Sequence, residues 1–452
     1  MDISYIKWQK ERLQSDVDGT AIIWNNTPFN RRQLLEAVNQ ARDQLVERNV
    51  EPGSIVALVG DFSFRSIARF LALIQHRCIV VPLMPTTRGW EEQVFHISRV
   101  SYCWRDEDEA ISRTEANVGQ DSHPLITKLR QRNHAGLVLF SSGSEGKPKA
   151  ILHDLEALLN PMRNPGKQMR TLSFLLFDHI GGIQTIFHTL ANNGCLVVPK
   201  DRSVSAVSRA ISDHCVELLP TSPTFLNLLL LDNANNDYDL SSLKLVTYGT
   251  EAMPDLTLQK AISLMPKARF KQTYGSSELG ILRSRSAANN SLMIQVGGDE
   301  QEVKTKDGRL FIRARGAMMG YLNADSPFDE EGWFDTGDAV IEDGDFLRII
   351  GRESDLINVG GQKVFPIEVE EVIAELPEVE QVTVFGEPHL LMGQTVVAEV
   401  QTGTPLSSLE IKRRIRFHCK DRLQPFMIPS KIRKVDHTQI SNRFKKTRSK
   451  NI

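Results

Sequence analysis

Apolar residues recur at helical spacing from Arg31 to Arg48, where Leu34, Leu35, Val38, Ala41, Leu45 and Val46 share one face. A short apolar run, Ser54 to Val59, follows a Pro-Gly turn and predicts a buried strand. Helical spacing returns from Phe64 to Gln75, and Cys78 to Leu83 predicts a second buried strand. The alternation continues with strands at Gly136 to Phe140, Thr171 to Phe177, Cys195 to Pro199 and Leu243 to Tyr248. Helices are expected around Gly182 to Leu190 and at Thr224 to Leu231. Strands alternating with helices predict an α/β fold with largely parallel sheet. The polar stretch 105–125 reads as a surface excursion.

The texture changes after about residue 290. Short strands punctuated by Gly and Asp turns appear, as in Gly308 to Tyr321 and Ile341 to Glu353. Beyond these, Pro366 opens an amphipathic helix from Ile367 to Leu376, with Glu368, Glu370 and Glu371 in its early turns. The expected organisation is a large domain over 1–351, with mixed and parallel sheets and packed helices, and a small α+β domain over 352–452.

Composition narrows the function classes. The 452 residues carry 54 basic and 56 acidic side chains, a net charge of -2, which argues against a dedicated nucleic-acid binder. Five scattered cysteines show no CxxC pairing, so neither a disulfide framework nor a zinc site is expected. The N-terminal stretch lacks the apolar core of a secretory signal, and no apolar run approaches membrane-spanning length. A soluble cytoplasmic protein is expected. The charge is unevenly placed: the last 22 residues hold eight Lys/Arg against one Asp.

Ser141-Ser142-Gly143-Ser144-Glu145-Gly146-Lys147-Pro148-Lys149 directly follows the apolar strand ending at Phe140. Gly and Ser let a backbone wrap phosphate oxygens and offer N–H and hydroxyl donors, and two lysines add charge. A Walker-type loop is excluded: only two residues separate the glycines, and no Ser or Thr follows Lys147.

This loop resembles the phosphate-binding signature of the ANL adenylating superfamily, which includes acyl- and aryl-CoA synthetases, adenylation domains of peptide synthetases and luciferases. Four further segments resemble its motifs in family order. They are Tyr274-Gly275-Ser276-Ser277-Glu278, Gly308 to Tyr321, Trp333-Phe334-Asp335-Thr336-Gly337-Asp338, and Gly351 to Glu370. The likeness covers nearly the whole chain.

The resemblance implies ATP, Mg²⁺ and coenzyme A, or the phosphopantetheine of a carrier protein, as cofactors. Ser141, Ser142, Gly143, Ser144, Gly146 and Lys149 would grip the β and γ phosphates. Tyr274 would stack on adenine, with Gly275, Ser276 and Ser277 beside it. Thr250 and Glu251 join the nucleotide-binding set. Glu278 would hold Mg²⁺, a hard cation suited to carboxylate oxygen. Asp338 would accept both ribose hydroxyls, with Arg352 helping. Lys445, three residues before Arg448, fits the register of the family's catalytic lysine, and Lys446 is the fallback. Phe444 stands where the family usually has glycine. The small domain is expected to swing as a lid for the second half-reaction, pivoting at Ser354, with Gly360 and Gly361 approaching the pantetheine arm.

Other positions depart from the family pattern: Leu155 replaces a histidine, Ala150 a glycine and Ser277 a threonine. The acid is addressed by Phe177-Asp178-His179-Ile180-Gly181-Gly182. In one register Asp178 resembles the ammonium-binding residue of peptide-synthetase adenylation domains. In the other, His179 resembles the histidine that closes over the carboxylate in acyl- and aryl-CoA synthetases. Gly194, fifteen residues after His179, matches the second register and favours an acyl or aryl acid. Asp178 could equally cap the helix that follows.

The expected activity is ATP-dependent activation of a small carboxylic acid to an acyl-adenylate, with release of pyrophosphate, then transfer to a thiol. An acyl carrier protein is one candidate partner. The alternatives are an amino-acid-adenylating enzyme that loads a carrier protein, and a nucleotide-binding paralogue without ligase activity.

Overall fold

The computed structural model describes residues 5–114, 123–141, 148–164, 166–232, 237–298, 300–438, 440–441 and 444–448. Among them, the strands build two seven-stranded sheets, a six-stranded sheet, a two-stranded ribbon and a five-stranded sheet.

The first seven-stranded sheet carries the candidate site. Its strands run, edge to edge, Arg269–Gln272, Leu245–Tyr248, Leu218–Thr221, Arg170–Leu172, Cys195–Val197, Thr20–Trp24 and Thr27–Asn30. All neighbours are parallel except the last pair. The strands are apolar because helices cover them, and Val246, Leu219 and Val197 are fully buried. In such sheets ligands collect beyond the carboxyl ends of the strands, here past Thr221, Tyr248 and Gln272.

The second sheet centres on the parallel strands Ile55–Val59, Ile79–Leu83 and Gly136–Ser141. Gly136–Ser141 then pairs antiparallel with Lys149–Asp154, which sets Ser141 opposite Lys149. Residues 142–147, with the expected contacts Ser142, Gly143, Ser144 and Gly146, lie outside the described residues.

The helices expected from periodicity form close to their expected bounds: Arg31–Glu47, Phe64–Gln75, Ile180–Ala191, Pro223–Leu231 and Pro366–Ala374. One strand is shorter than the apolar run suggested. Residues 171–177 are strand only through Leu172, and the chain leaves the sheet as a loop toward His179. Apolar character there reflects burial rather than pairing: Phe174 and Phe177 are core residues on a loop. Asp178 does not cap the next helix. His179 does, its ring accepting from the Gly181 N–H at 3.2 Å.

The six-stranded antiparallel sheet runs through Phe334–Asp343 and Phe346–Arg352. Arg352 is the last residue of its strand and sits opposite Asp338. A short turn, Glu353–Asp355, leads into the five-stranded sheet, whose long hairpin is Val379–His389 with Gly393–Thr402. The helices Pro366–Ala374 and Ser408–Lys420 pack on it through Val369, Ile373, Ile411 and Ile415. No helix among the described residues is long and apolar enough to cross a membrane.

Candidate active site

Three clusters gather the expected residues. The first surrounds Asp338. The Tyr274 hydroxyl donates to Asp338 Oδ2 at 2.5 Å, and Arg352 Nε donates to Oδ1 at 3.2 Å. Burial pushes the Asp338 carboxyl above its ordinary value, against the opposing pull of Arg352 and the Tyr274 hydrogen bond. The Tyr274 phenol is raised well above its usual value, by burial first and by the Asp338 charge second. Tyr274 is thus tied to the residue expected to bind ribose, a link its place in the sequence did not suggest. Its ring belongs to an apolar cluster with Leu279 and Ile294.

Tyr274 stands on the ribbon Tyr274–Ser276 with Gly280–Leu282. Gly275 is required there, because a Cβ would lie 2.3 Å from the Gly280 carbonyl oxygen. Ser276 Oγ accepts from the N–H groups of Glu278 and Leu279, shaping the turn.

The second cluster surrounds Glu278. Its Oε1 accepts from the Tyr321 hydroxyl at 3.0 Å. The Lys149 ammonium lies 5.1 Å from the centre of the Tyr321 ring, a cation–π contact. Ser141 sits opposite Lys149 at the end of the strand pair. Asn323, which sequence reasoning missed, holds this end by donating to the Pro148 carbonyl at 2.8 Å and accepting from the Ala150 N–H at 2.9 Å. His153 is fully buried, with Nε2 2.7 Å from the Ser277 carbonyl oxygen, and burial lowers its pKa to about 4. It is a neutral strut for the Glu278 turn. Leu155 is buried.

The third cluster joins the two units. His179 Nδ1 accepts a hydrogen bond, so the ring proton belongs on Nε2. Gly182 lets the helix start against the preceding loop, since a Cβ there would stand 2.0 Å from the Leu176 carbonyl oxygen. A narrow cavity of about 20 Å³, room for about one water, lies between His179, Thr250 and Lys445. Its walls are Phe174, Leu175, Leu176 and Phe444. A larger hollow, bordered by Tyr238, Leu264 and Lys267, lies at the amino ends of the parallel strands and is remote from this chemistry.

The two neighbouring lysines have different surroundings. Lys446 Nζ lies 2.8 Å from Glu370 Oε2 and 3.0 Å from the Val382 carbonyl oxygen. Arg448 meets the same carboxylate, with Nη2 at 3.2 Å from Oε2 and Nη1 on Oε1. Burial alone would raise the Glu370 pKa, but Arg448 and Lys446 outweigh it and hold it below its ordinary value. Lys446 is therefore committed to the small unit, and Lys445 is the lysine at the cavity.

Glu251 links two distant segments. One oxygen accepts from the Thr224 hydroxyl at 2.6 Å and the other from the Lys446 backbone N–H at 2.7 Å. It clips the C-terminal segment to the large unit. Gly360 and Gly361 form the turn of a small-unit hairpin with positive φ and are not among the residues lining the cavity. Among the described residues no cluster of three or more His, Cys, Asp or Glu could hold a metal by protein ligands alone.

A parallel sheet whose carboxyl ends face these clusters, closed by a small α+β unit that supplies a lysine, is the layout of an ANL adenylating enzyme. The chain belongs to the family of AMP-binding enzymes: that family's model matches residues 10–322, and the model of the AMP-binding enzyme C-terminal domain matches residues 368–450. It is 24% identical to a 2-succinylbenzoate–CoA ligase of Bacillus subtilis, over 94% of this chain and 93% of that one. It is 28% identical to a methyl-dioxo-octahydroindenyl-propanoyl:CoA ligase of Rhodococcus jostii, over 66% of this chain but only 61% of that protein's length. In fold it is similar to an anthranilate CoA ligase solved with anthranoyl-AMP, with a TM-score of 0.82 at 20% identity, covering 98% of this chain and 95% of that one.

Proposed function

We propose that the protein is an AMP-forming acid–thiol ligase. A carboxylate oxygen attacks the α-phosphorus of ATP and pyrophosphate leaves. The thiol of coenzyme A then attacks the acyl carbon, and AMP leaves as the thioester forms. The observation that carries this reading is the cavity shared by Lys445 and His179, which belong to different units.

The residues fit the first step. Negative charge builds on the phosphate oxygens, so positioning and electrostatic stabilisation dominate. Lys445 would span the carboxylate and the α-phosphate as a compact charge. His179, protonated on Nε2, would donate toward the carboxylate. Asp338 would take the ribose hydroxyls through the lone pairs left by Tyr274 and Arg352. Glu278 suits Mg²⁺, because its bond to Tyr321 occupies Oε1 and leaves a hard carboxylate oxygen for the ion. Bound there, Mg²⁺ would neutralise charge on the leaving pyrophosphate.

Apolar cavity walls favour a plain acyl or aryl acid over an amino acid. Phe174, Leu175, Leu176 and Phe444 offer no partner for an ammonium, and Asp178 is not among the lining residues. Coenzyme A is the acceptor favoured by the CoA ligases among the relatives. The second step would use the small unit, residues 352–452, as a mobile lid pivoting at Ser354, which lies in the turn after Arg352. Buried free thiols at Cys78, Cys103, Cys195 and Cys419 suit a reducing cytoplasm.

The test is acid-dependent ATP–pyrophosphate exchange over plain and amino acids, with mass-spectrometric detection of acyl-AMP and the CoA thioester. Turnover of carboxylic acids with both products supports the proposal. Turnover confined to amino acids would move the protein to the amino-acid-activating class. Nucleotide binding without either product would make it a paralogue without ligase activity.

A further inference from the structure

Phe444 lies in the last described stretch of the chain, yet its ring sits in the large unit. The ring centre is 5.0 Å from that of Phe174 and 5.3 Å from that of Phe225. Phe174 and Phe225 themselves pack at 4.2 Å. The Ser222 hydroxyl donates to the Phe444 carbonyl at 2.8 Å, fixing the backbone beneath the ring. Phe444 adopts φ +51, a left-handed conformation that costs a side chain about 1 kcal/mol or more and suits glycine. The aromatic contacts therefore hold a bulky residue where the backbone favours a small one.

The Phe174 side of this ring pair is held firmly. Arg202 Nε donates to the Phe174 carbonyl at 2.6 Å, and its guanidinium is gripped by Asp61 at 2.6 and 2.8 Å. Phe174 and Phe444 thus form one fixed apolar wall of the narrow space beside His179 and Lys445.

We propose that Phe444 is a specificity-determining residue: its ring takes up the room beside His179 and Lys445, so compact acids are favoured over bulky ones. This rests on the reading of the cavity beside His179 and Lys445 as the seat of the reacting carboxylate. Because Phe444 immediately precedes Lys445, the wall is in place only when the lysine is. Size selection and the adenylation geometry are set by the same docked tail.

The experiment compares wild type with Phe444→Gly and Phe444→Leu on two pairs of acids, benzoate with 4-phenylbenzoate and hexanoate with dodecanoate. Pyrophosphate exchange gives kcat/KM, and titration calorimetry gives acid affinity without turnover. The ratio of large to small acid should rise about tenfold or more in Phe444→Gly, with Phe444→Leu between it and wild type. If both acids slow equally and the ratio stays within about twofold, Phe444 only anchors the tail and the inference is wrong. Should the glycine variant fail to fold, the leucine variant decides by the same ratio, which must move about threefold. Absence of exchange in every protein would sink the ligase reading alone, since the calorimetric ratio still decides Phe444. Absence of acid binding in wild type would overturn the inference.

Discussion

The ammonium of Lys446 lies 2.8 Å from the buried carboxylate of Glu370. That pair determines which of two adjacent lysines faces the cavity. Alternate residues of an extended segment point opposite ways, so committing Lys446 to the small unit's core turns Lys445 toward His179 and Thr250. Arg448 repeats the direction of Lys446 and reaches the same carboxylate.

Lys445→Ala should cut acid-dependent pyrophosphate exchange by about 100-fold to 1,000-fold, the scale of removing one group that stabilises developing charge. Its unfolding temperature should stay near that of wild type. Lys446→Ala should reverse the pattern, with the main loss in stability. Parallel exchange assays and thermal melts check this. Normal exchange in Lys445→Ala would remove it from the mechanism.

Glu370 should make the small unit acid-sensitive. Its folded pKa lies below the unfolded one, so its stabilisation is present above the unfolded value and is lost as pH falls through the folded value. Glu370→Gln should be destabilised by about 3–5 kcal/mol at neutral pH, because Lys446 and Arg448 lose the charge they neutralise. It should also lose much of the acid dependence. Urea unfolding at several pH values measures both, and an unchanged acid slope would contradict the prediction.

Asp338 behaves in the opposite sense. Burial raises its folded pKa, so the ionised form needed to accept ribose hydroxyls is lost at a higher pH than for an exposed aspartate. The acid limb of kcat/KM for ATP should reflect this. Arg352 opposes the rise, so Arg352→Gln should move the limb to still higher pH. A limb that stays in place would show that Asp338 does not govern ATP use.

Tyr321→Phe removes one hydroxyl and keeps the ring against Lys149 and the strand pairing with Ile151. Stability should fall by about 1 kcal/mol, the usual net worth of one hydrogen bond. Exchange should need more Mg²⁺ for half-maximal rate, because Glu278 loses the donor that orients it. Mg²⁺ titration of the exchange rate reads this directly, and an unshifted midpoint would separate Tyr321 from the metal site.

Much of the architecture was legible in the chain. Helices with a continuous apolar face and strands rich in Val, Ile and Leu formed near their expected bounds, because local periodicity and burial point the same way in them. The apolar run 171–177 misled, because burial of Phe174 and Phe177 comes from a loop packed between layers, and residue type alone does not separate a buried loop from a buried strand. His179 rather than Asp178 caps its helix for a similar reason: the cap follows from where the backbone turns.

By itself, then, the sequence determined the α/β class, the order of the motifs, and the residue types expected at phosphate, ribose and metal. These depend on local spacing and on chemistry carried by single side chains. Only the tertiary structure decided that Tyr274 binds Asp338, that Tyr321 holds Glu278, that Glu251 clips the tail, and that Lys445 rather than Lys446 lines the cavity. Each of those choices is made between segments separated by 43 to 195 positions. No local pattern encodes such pairings, because they follow from how the buried faces of distant elements stack.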